Sequence, residues 1–431
     1  LEVPGVMQAA VMMATEHNKT LMQKAGILEE ETKIKAKPND LIIGILAQNQ
    51  ESIKDALLIL KEQFDNKEQV KDYGKKAKTI EAAVKMLVRP NLAIVSLPGS
   101  YAKNEAMKAM KNGMHVLLFS DNVSIEEENE LKEFALEHNL LMMGPDCGTA
   151  LINGVALGFS NVVRRGNIGL VAASGTGLQE VMVLIDRLGG GISQAIGTGG
   201  RDVSKEIGGK MMLTALEALK IDKNTEVIGI ISKPSEPSVM LKVLEAVKTI
   251  PKPVVACFIG GDSTVTENAS VIPAKSLQEA AQLLVRLGNG KNAQIEQCDI
   301  KKIAFSECKK LDKKQKYVRG LYSGGTLCYE AMLLMDEKLG SIYSNISKNP
   351  QFILQDCEIS KKNTMVDMGD DYFTDGMPHP MIDTRLRSER IIKECQDEEV
   401  AVILLDCVLG YGCHEDPAEA IVDAANAARA Q

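Results

Sequence analysis

The sequence predicts an α/β protein: a small N-terminal α/β unit, a Rossmann-like unit, and two flavodoxin-like domains of parallel sheet covered by helices. Three observations predict it. Short runs rich in Val, Ile and Leu alternate with helically spaced apolar residues along most of the chain, the pattern of parallel strands buried on both faces. One small-residue signature occurs twice, 150 residues apart, as Ala173-Ser174-Gly175-Thr176-Gly177 and Ser323-Gly324-Gly325-Thr326. Each copy follows an apolar run and opens a helical one, so the last two units read as duplicated halves.

In the first unit, residues 1–75, strands are expected at Ala9–Met13 and Leu41–Leu46, with helices near Asn18–Ala25 and over Glu51–Phe64. Apolar Ile53, Ala56, Leu57 and Leu60 give the second helix its period. The Lys-rich stretch Lys67–Lys78 reads as a solvated linker. The Rossmann-like unit, 79–160, has strands at Ala93–Ser96, Val116–Phe119 and Leu140–Met143, ending in the loop Gly144–Thr149. The third unit, 163–292, carries strands Ile168–Val171, Ser193–Ile196, Val227–Ile231 and Val254–Phe258; a charged connector, Lys291–Lys302, follows. The fourth unit, 303–431, repeats the plan with strands Val318–Tyr322, Thr364–Met368 and Ala401–Leu405 and helices Thr326–Lys338 and Thr384–Cys395.

Composition narrows the function. With 431 residues, 45% of them hydrophobic, the chain can bury several cores. Aromatic residues make up 4%, Trp is absent and the net charge is −8, which argues against stacking on bases or tracking a phosphate backbone. No nucleic-acid partner is expected. No apolar run approaches a membrane span and no secretory leader is visible, so no membrane partner is expected and the compartment reads as cytoplasmic. The chain opens at Leu1 in mid-pattern, and its natural start is expected to precede that residue. Nine cysteines stand singly without a CxxC pair, the usage of reduced thiols in a core; no metal is predicted.

Strand, glycine turn and helix start together make an anion site, because unpaired amides and the positive end of the helix dipole point outward. Ser174, Gly175 and Thr176 are the phosphate-binding candidates of one half, and Gly324, Gly325 and Thr326 those of the other. Two such helix starts facing one another would hold a small dianion from both sides, so phosphate is the expected bound group. Other candidates stand in loops at strand ends: Asp146 and Cys147 in Gly144–Thr149, Arg201 in Gly197–Asp202, and Lys233 and Glu236 in the turn after Ile231. The densest polar loop, Gly369–Asp383, contributes Asp370, Asp371, Asp375, His379 and Asp383. Prolines on both sides hold His379 in an extended backbone.

The stretches Gly144-Pro145-Asp146-Cys147, Gly166–Thr176 and Gly197–Asp202 resemble, in order and spacing, the α subunit of succinyl-CoA synthetase. Val366–Asp370 and Ile403–Gly412 resemble the ligase domain of that enzyme's β subunit. Two ligase halves on one chain, preceded by a short relic of a CoA domain, resemble the FdrA family of acyl-CoA-synthetase-like proteins. In the synthetases paired helix starts grip a phosphohistidine, so the resemblance implies the same cradle here. Three departures accompany it. The loop Gly260–Asn268 holds no His, Ser232-Lys233-Pro234 stands where the family has an acidic Gly-Glu-Ile-Gly-Gly loop, and neither the Gly-rich CoA loop nor an ATP-grasp domain has a counterpart.

The resemblance implies a subunit of an acyl-transfer enzyme acting on a small molecule with partner subunits or as a homo-oligomer, and for FdrA-type proteins oxamate carbamoyl transfer in allantoin catabolism. In that reading His379 is the general acid, Glu236 the replacement acid, Asp383 a further catalytic carboxylate, and Arg201 or Lys233 the clamp on a substrate carboxylate, with Asp146 and Cys147 beside the substrate. Two alternatives stay open: an ADP-forming acyl-CoA synthetase component whose ATP-grasp domain lies on another chain, with CoA as a ligand, and a non-catalytic metabolite sensor.

Overall fold

The computed structural model describes residues 3–430 apart from 15, 25, 30–34, 38–39, 66–76, 234, 262–270, 291–298 and 375–376. Most of the expected linker at 67–78, most of the loop 260–268, most of the connector at 291–302, and Asp375 therefore lie outside the described residues. The chain divides into two compact units, 1–78 and 79–431.

In the first unit strands β1 (Val6–Met13) and β2 (Leu41–Ala47) pair antiparallel, with helices Glu16–Lys24 and Gln50–Asp65 after them. Residues alternate in burial along β1, as a strand with one covered face requires. Ala14, Met22 and Ile42 form its small core.

The second unit begins with a three-stranded parallel sheet in the order β3 (Leu92–Val95), β4 (His115–Leu118), β5 (Met142–Met143). Next comes a hairpin absent from the sequence reading, β6 (Thr149–Ile152) and β7 (Val155–Gly158), turning at Asn153-Gly154. Both turn residues have positive φ, 52° and 82°, as a two-residue hairpin turn of the I′ kind demands. The hairpin extends a seven-stranded sheet ordered β12-β11-β10-β8-β9-β6-β7, in which β8 is Arg165–Ala173, β9 Ile192–Gly197, β10 Val227–Ser232, β11 Val254–Phe258 and β12 Ile272–Pro273. Its five parallel strands follow the flavodoxin order 2-1-3-4-5. β8, β9 and β10 are buried almost throughout, and apolar clusters cover both faces.

The C-terminal half is a three-stranded parallel sheet ordered β14-β13-β15, with β13 Tyr317–Tyr322, β14 Thr364–Asp367 and β15 Val400–Leu405. This is the 2-1-3 core of the same topology. In both halves the strand order reverses beside the first strand, where open α/β sheets bind ligands. The helices that leave those first strands are Gly175–Arg187 and Gly325–Leu339.

A buried ion cluster fixes the loop after β9. Lys132, fully buried on helix Ile125–Glu137, bonds Glu128 at 2.7 Å, Asp202 at 2.9 Å and the Thr198 carbonyl at 3.0 Å. Asp202 also accepts the amides of Met211 and Met212 at the start of helix Lys210–Ile221. Among the described residues no helix is long and apolar enough to cross a membrane.

Candidate active site

The two helix starts meet. Ser174 Oγ and Thr326 Oγ1 lie 2.7 Å apart across the boundary between the halves. A Cβ on Gly177 would stand 3.1 Å from the Thr326 methyl, and one on Gly324 would stand 2.7 Å from that of Thr176. Glycine therefore permits the close approach. The tips open into a cavity of about 460 Å³ lined by Ser174, Gly175, Thr176, Gly324, Gly325, Thr326, Asp146, Lys233 and His379. Ser96, Leu97, Asp121, Thr149, Phe159 and Asp367 also line it.

Ser174 caps its own helix through the Gly177 amide at 3.1 Å. The amides of Gly175 and Thr176 have no partner within the helix. At the other tip Asp406, at the end of β15, accepts the amides of Ser323 and Gly324, each at 2.8 Å. Arg387 holds that carboxylate at 2.7 Å. The Gly324 amide, read from sequence as a phosphate donor, is thus already taken, and the donors left at this tip are Gly325 and those after it. Of the Ser174 and Thr326 hydroxyl hydrogens one is used between the two side chains, which leaves the second.

Lys233, just past β10, makes no ion pair or hydrogen bond among the described residues, and its Nζ lies 3.1 Å from where a Cβ on Gly325 would be. It is a free ammonium beside a helix start. Burial pushes Asp146 up to about 6, helped by Asp121. Asp367, at the end of β14, is pushed by burial to about 7 against the pull of Lys233.

His379 lines the cavity with its Nδ1 accepting the Met381 amide at 3.2 Å, so the neutral ring carries its proton on Nε2. Burial pushes it down to about 4. A ring neutral at pH 7 is a hydrogen-bond donor rather than the imidazolium acid expected from sequence. The unfolded chain binds a proton here that the folded chain refuses, so stability is full above about pH 6.5 and falls as pH drops toward about 4. His379→Gln is expected to flatten that limb of the Tm–pH profile by several degrees; an unchanged limb would contradict this environment.

Four other candidates are not brought to the cavity lining. Glu236 spends its carboxylate capping helix Pro237–Val247 through Ser238 and Val239, at a half-buried position. Asp383 is forked onto Arg385 at 2.5–3.0 Å. Arg201 pairs with Glu128 at 3.0 Å and the Val123 carbonyl at 2.7 Å. The Cys147 thiol is buried, which pushes it to about 12, and faces the Thr149 carbonyl. Sequence reasoning missed Asp367 and Asp406, although each is a carboxylate directly ending an apolar strand run.

The fold is of the succinyl-CoA-synthetase-like kind, with a CoA-binding and a CoA-ligase domain. The CoA-ligase family matches residues 321–431 and the CoA binding domain matches 163–260, while residues 1–82 match the family described as AllF, heavy metal-associated domain. The chain belongs to the family of the Escherichia coli K12 uncharacterized protein YahF, with which it is 46% identical over 430 residues, all of this chain and 83% of that one. It is also similar to the α subunit of the ADP-forming succinate–CoA ligase of Methanothermobacter thermautotrophicus, 25% identical over 33% of this chain and 48% of that subunit. The chain thus spans about half the length of that relative. A solved structure, the dinucleotide-forming acetyl-coenzyme A synthetase 1 of Ca. Korarchaeum cryptofilum with phosphate and ADP, matches with TM-score 0.42 and 17% identity over 83% of this chain and 75% of that one.

The first 82 residues contain no cysteine and a single histidine, His17. Heavy metals favour sulfur ligands, and the only sulfur here is the thioether of Met7, Met12, Met13 and Met22. Among the described residues no group of three or more His, Cys, Asp or Glu is placed to hold a metal.

Proposed function

We propose that this chain is an FdrA-type acyl-transfer subunit in which inorganic phosphate, held between the two helix starts, attacks the carbonyl carbon of a small acyl or carbamoyl donor. One observation carries the reading: two helix N-termini and one unpaired ammonium, Lys233, converge on a single cavity. With a carbamoyl donor such as oxalurate, a phosphate oxygen forms a bond to the carbamoyl carbon and the C–N bond to oxamate breaks. The electron pair stays on nitrogen, which takes a proton; the products are carbamoyl phosphate and oxamate. Amides of the tips stabilise charge developing on the carbonyl and phosphate oxygens, about 3–4 kcal/mol for a well-placed donor. Lys233 neutralises the phosphate, and His379 Nε2–H, in the lining of the same cavity, orients the donor. Asp146 borders the donor.

The absence of any histidine in Gly260–Asn268 favours direct attack over a phosphohistidine relay. Similarity to ligase α subunits supports action with partner chains and leaves an ADP-forming ligase component, with CoA as substrate and ATP-grasp on another chain, as the second reading. The test incubates oxalurate and phosphate with the purified chain, alone and with subunits encoded beside its gene. Carbamoyl phosphate is the expected product. No product under either condition removes the carbamoyl reading, and thermal stabilisation by CoA without any by phosphate turns the choice to the ligase or to a sensor.

A further inference from the structure

Asp367 is held with unusual care for a loop carboxylate. Asn345 brackets its backbone, donating to the Asp367 carbonyl at 2.9 Å and accepting its amide at 3.0 Å. Oδ1 accepts the Gly369 amide at 3.0 Å, and the residue is 6% exposed. Oδ2 takes no hydrogen bond among the described residues and lies 2.2 Å from where a Cβ on Gly325 would be. One oxygen of a buried side chain is thus unpartnered at the first turn of the helix that faces the cavity. Asp406, beside it, is spent on Ser323, Gly324 and Arg387; Asp367 is not.

The groups around Asp367 come from every packed element. They are Lys233 after β10, Asp406 after β15, Asp370 in its own loop, the buried Cys328 thiol on helix Gly325–Leu339, and His379, whose Nε2 also approaches Gly369. A charged Asp367 is an anion already standing at the helix start and Lys233, so a second anion placed there meets like charge. A neutral Asp367 offers an O–H donor to the same oxygen. We propose that the cradle takes its oxyanion together with a proton, and that Asp367 holds that proton in the complex. This rests on the cradle reading above and deepens it: Asp367 becomes the acid poised to protonate the departing nitrogen, ending as a carboxylate beside Lys233.

The test is calorimetric titration with sulfate, whose charge is constant from about pH 6 to about pH 8, in two buffers of different ionisation heat. Asp367 titrating at about 7 gives wild-type affinity about tenfold weaker at the upper pH, with close to one proton taken up per sulfate there. Asp367→Asn is expected to bind within about twofold of the same affinity at both pH values without proton uptake. Asp146→Asn, which removes the other carboxyl titrating nearby, keeps the wild-type fall in affinity with pH and the wild-type proton uptake, whatever its absolute affinity. Binding without pH dependence or proton uptake in the wild type, or wild-type linkage surviving in Asp367→Asn or lost in Asp146→Asn, overturns the inference and leaves the cradle standing. No sulfate binding at either pH overturns both. Should Asp367→Asn not fold, the wild-type proton count and Asp146→Asn decide.

Discussion

Gly325→Asp is expected to remove anion binding altogether. A Cβ at this position would stand 2.2 Å from Asp367 Oδ2 and 3.1 Å from Lys233 Nζ, so the new carboxylate would occupy the space and the charge meant for the ligand. With phosphate at about 100 times its Kd, the wild type gains about 2.7 kcal/mol of stability, and the variant gains none. Thermal melts with and without phosphate make the comparison. Gly175→Ala guards against reading a folding defect as a binding defect. Nothing lies within 4 Å of a Cβ there, so this variant folds as the wild type while its methyl enters the open space between the tips where the anion would sit. Its anion affinity is expected to fall about tenfold. Full phosphate stabilisation of both variants would contradict the cradle.

The largest effect on stability is expected from Lys132→Met. Lys132, Glu128 and Asp202 are fully buried together, and the lysine pairs with both carboxylates while the part-exposed Arg201 reaches Glu128 alone. Removing one member of a buried charge cluster leaves the others uncompensated, a loss of about 3–5 kcal/mol. Asp202 also anchors the start of helix Lys210–Ile221, so the loop Gly197–Asp202 is expected to loosen as well. Urea unfolding reads the first effect and amide exchange at Thr198 and Gly200 the second. A loss under about 1 kcal/mol would mean that water reaches the cluster.

Much of the fold was legible because strands buried on both faces announce themselves as unbroken apolar runs. Ile168–Val171, Val227–Ile231 and Val254–Phe258 all sit within observed strands. The β6–β7 hairpin is announced only by Asn153-Gly154, because its two short strands follow directly on the Gly-Pro-Asp loop that closes the preceding parallel sheet. Strand pairing sense was equally hidden: β1 and β2 carry the same apolar runs as the parallel strands, yet pair antiparallel.

At the site, the repeated Gly-Thr turns gave the two tips, since a glycine turn and a helix start are local features. Side chains recruited from a distance were not legible. Asp406 lies 82 residues beyond Gly324, whose amide it takes, and nothing local to either residue announces the bond. Glu236, Arg201 and Asp383 were plausible by position at strand ends, but each finds a nearer partner: its own helix start, Glu128 and Arg385 respectively. Glu236 and Asp383 are satisfied within two or three residues and Arg201 by a buried carboxylate on another helix, which is why Lys233, without a hydrogen bond or ion pair among the described residues, is the informative one.

A crystal grown in selenate, with anomalous scattering measured at the selenium edge, addresses the bound anion itself. The expected result is one strong peak within hydrogen-bonding distance of amides at both Gly175-Thr176 and Gly325-Thr326, with Lys233 Nζ turned onto it. A cavity with no peak between the tips, or selenate bound only elsewhere, would contradict the account.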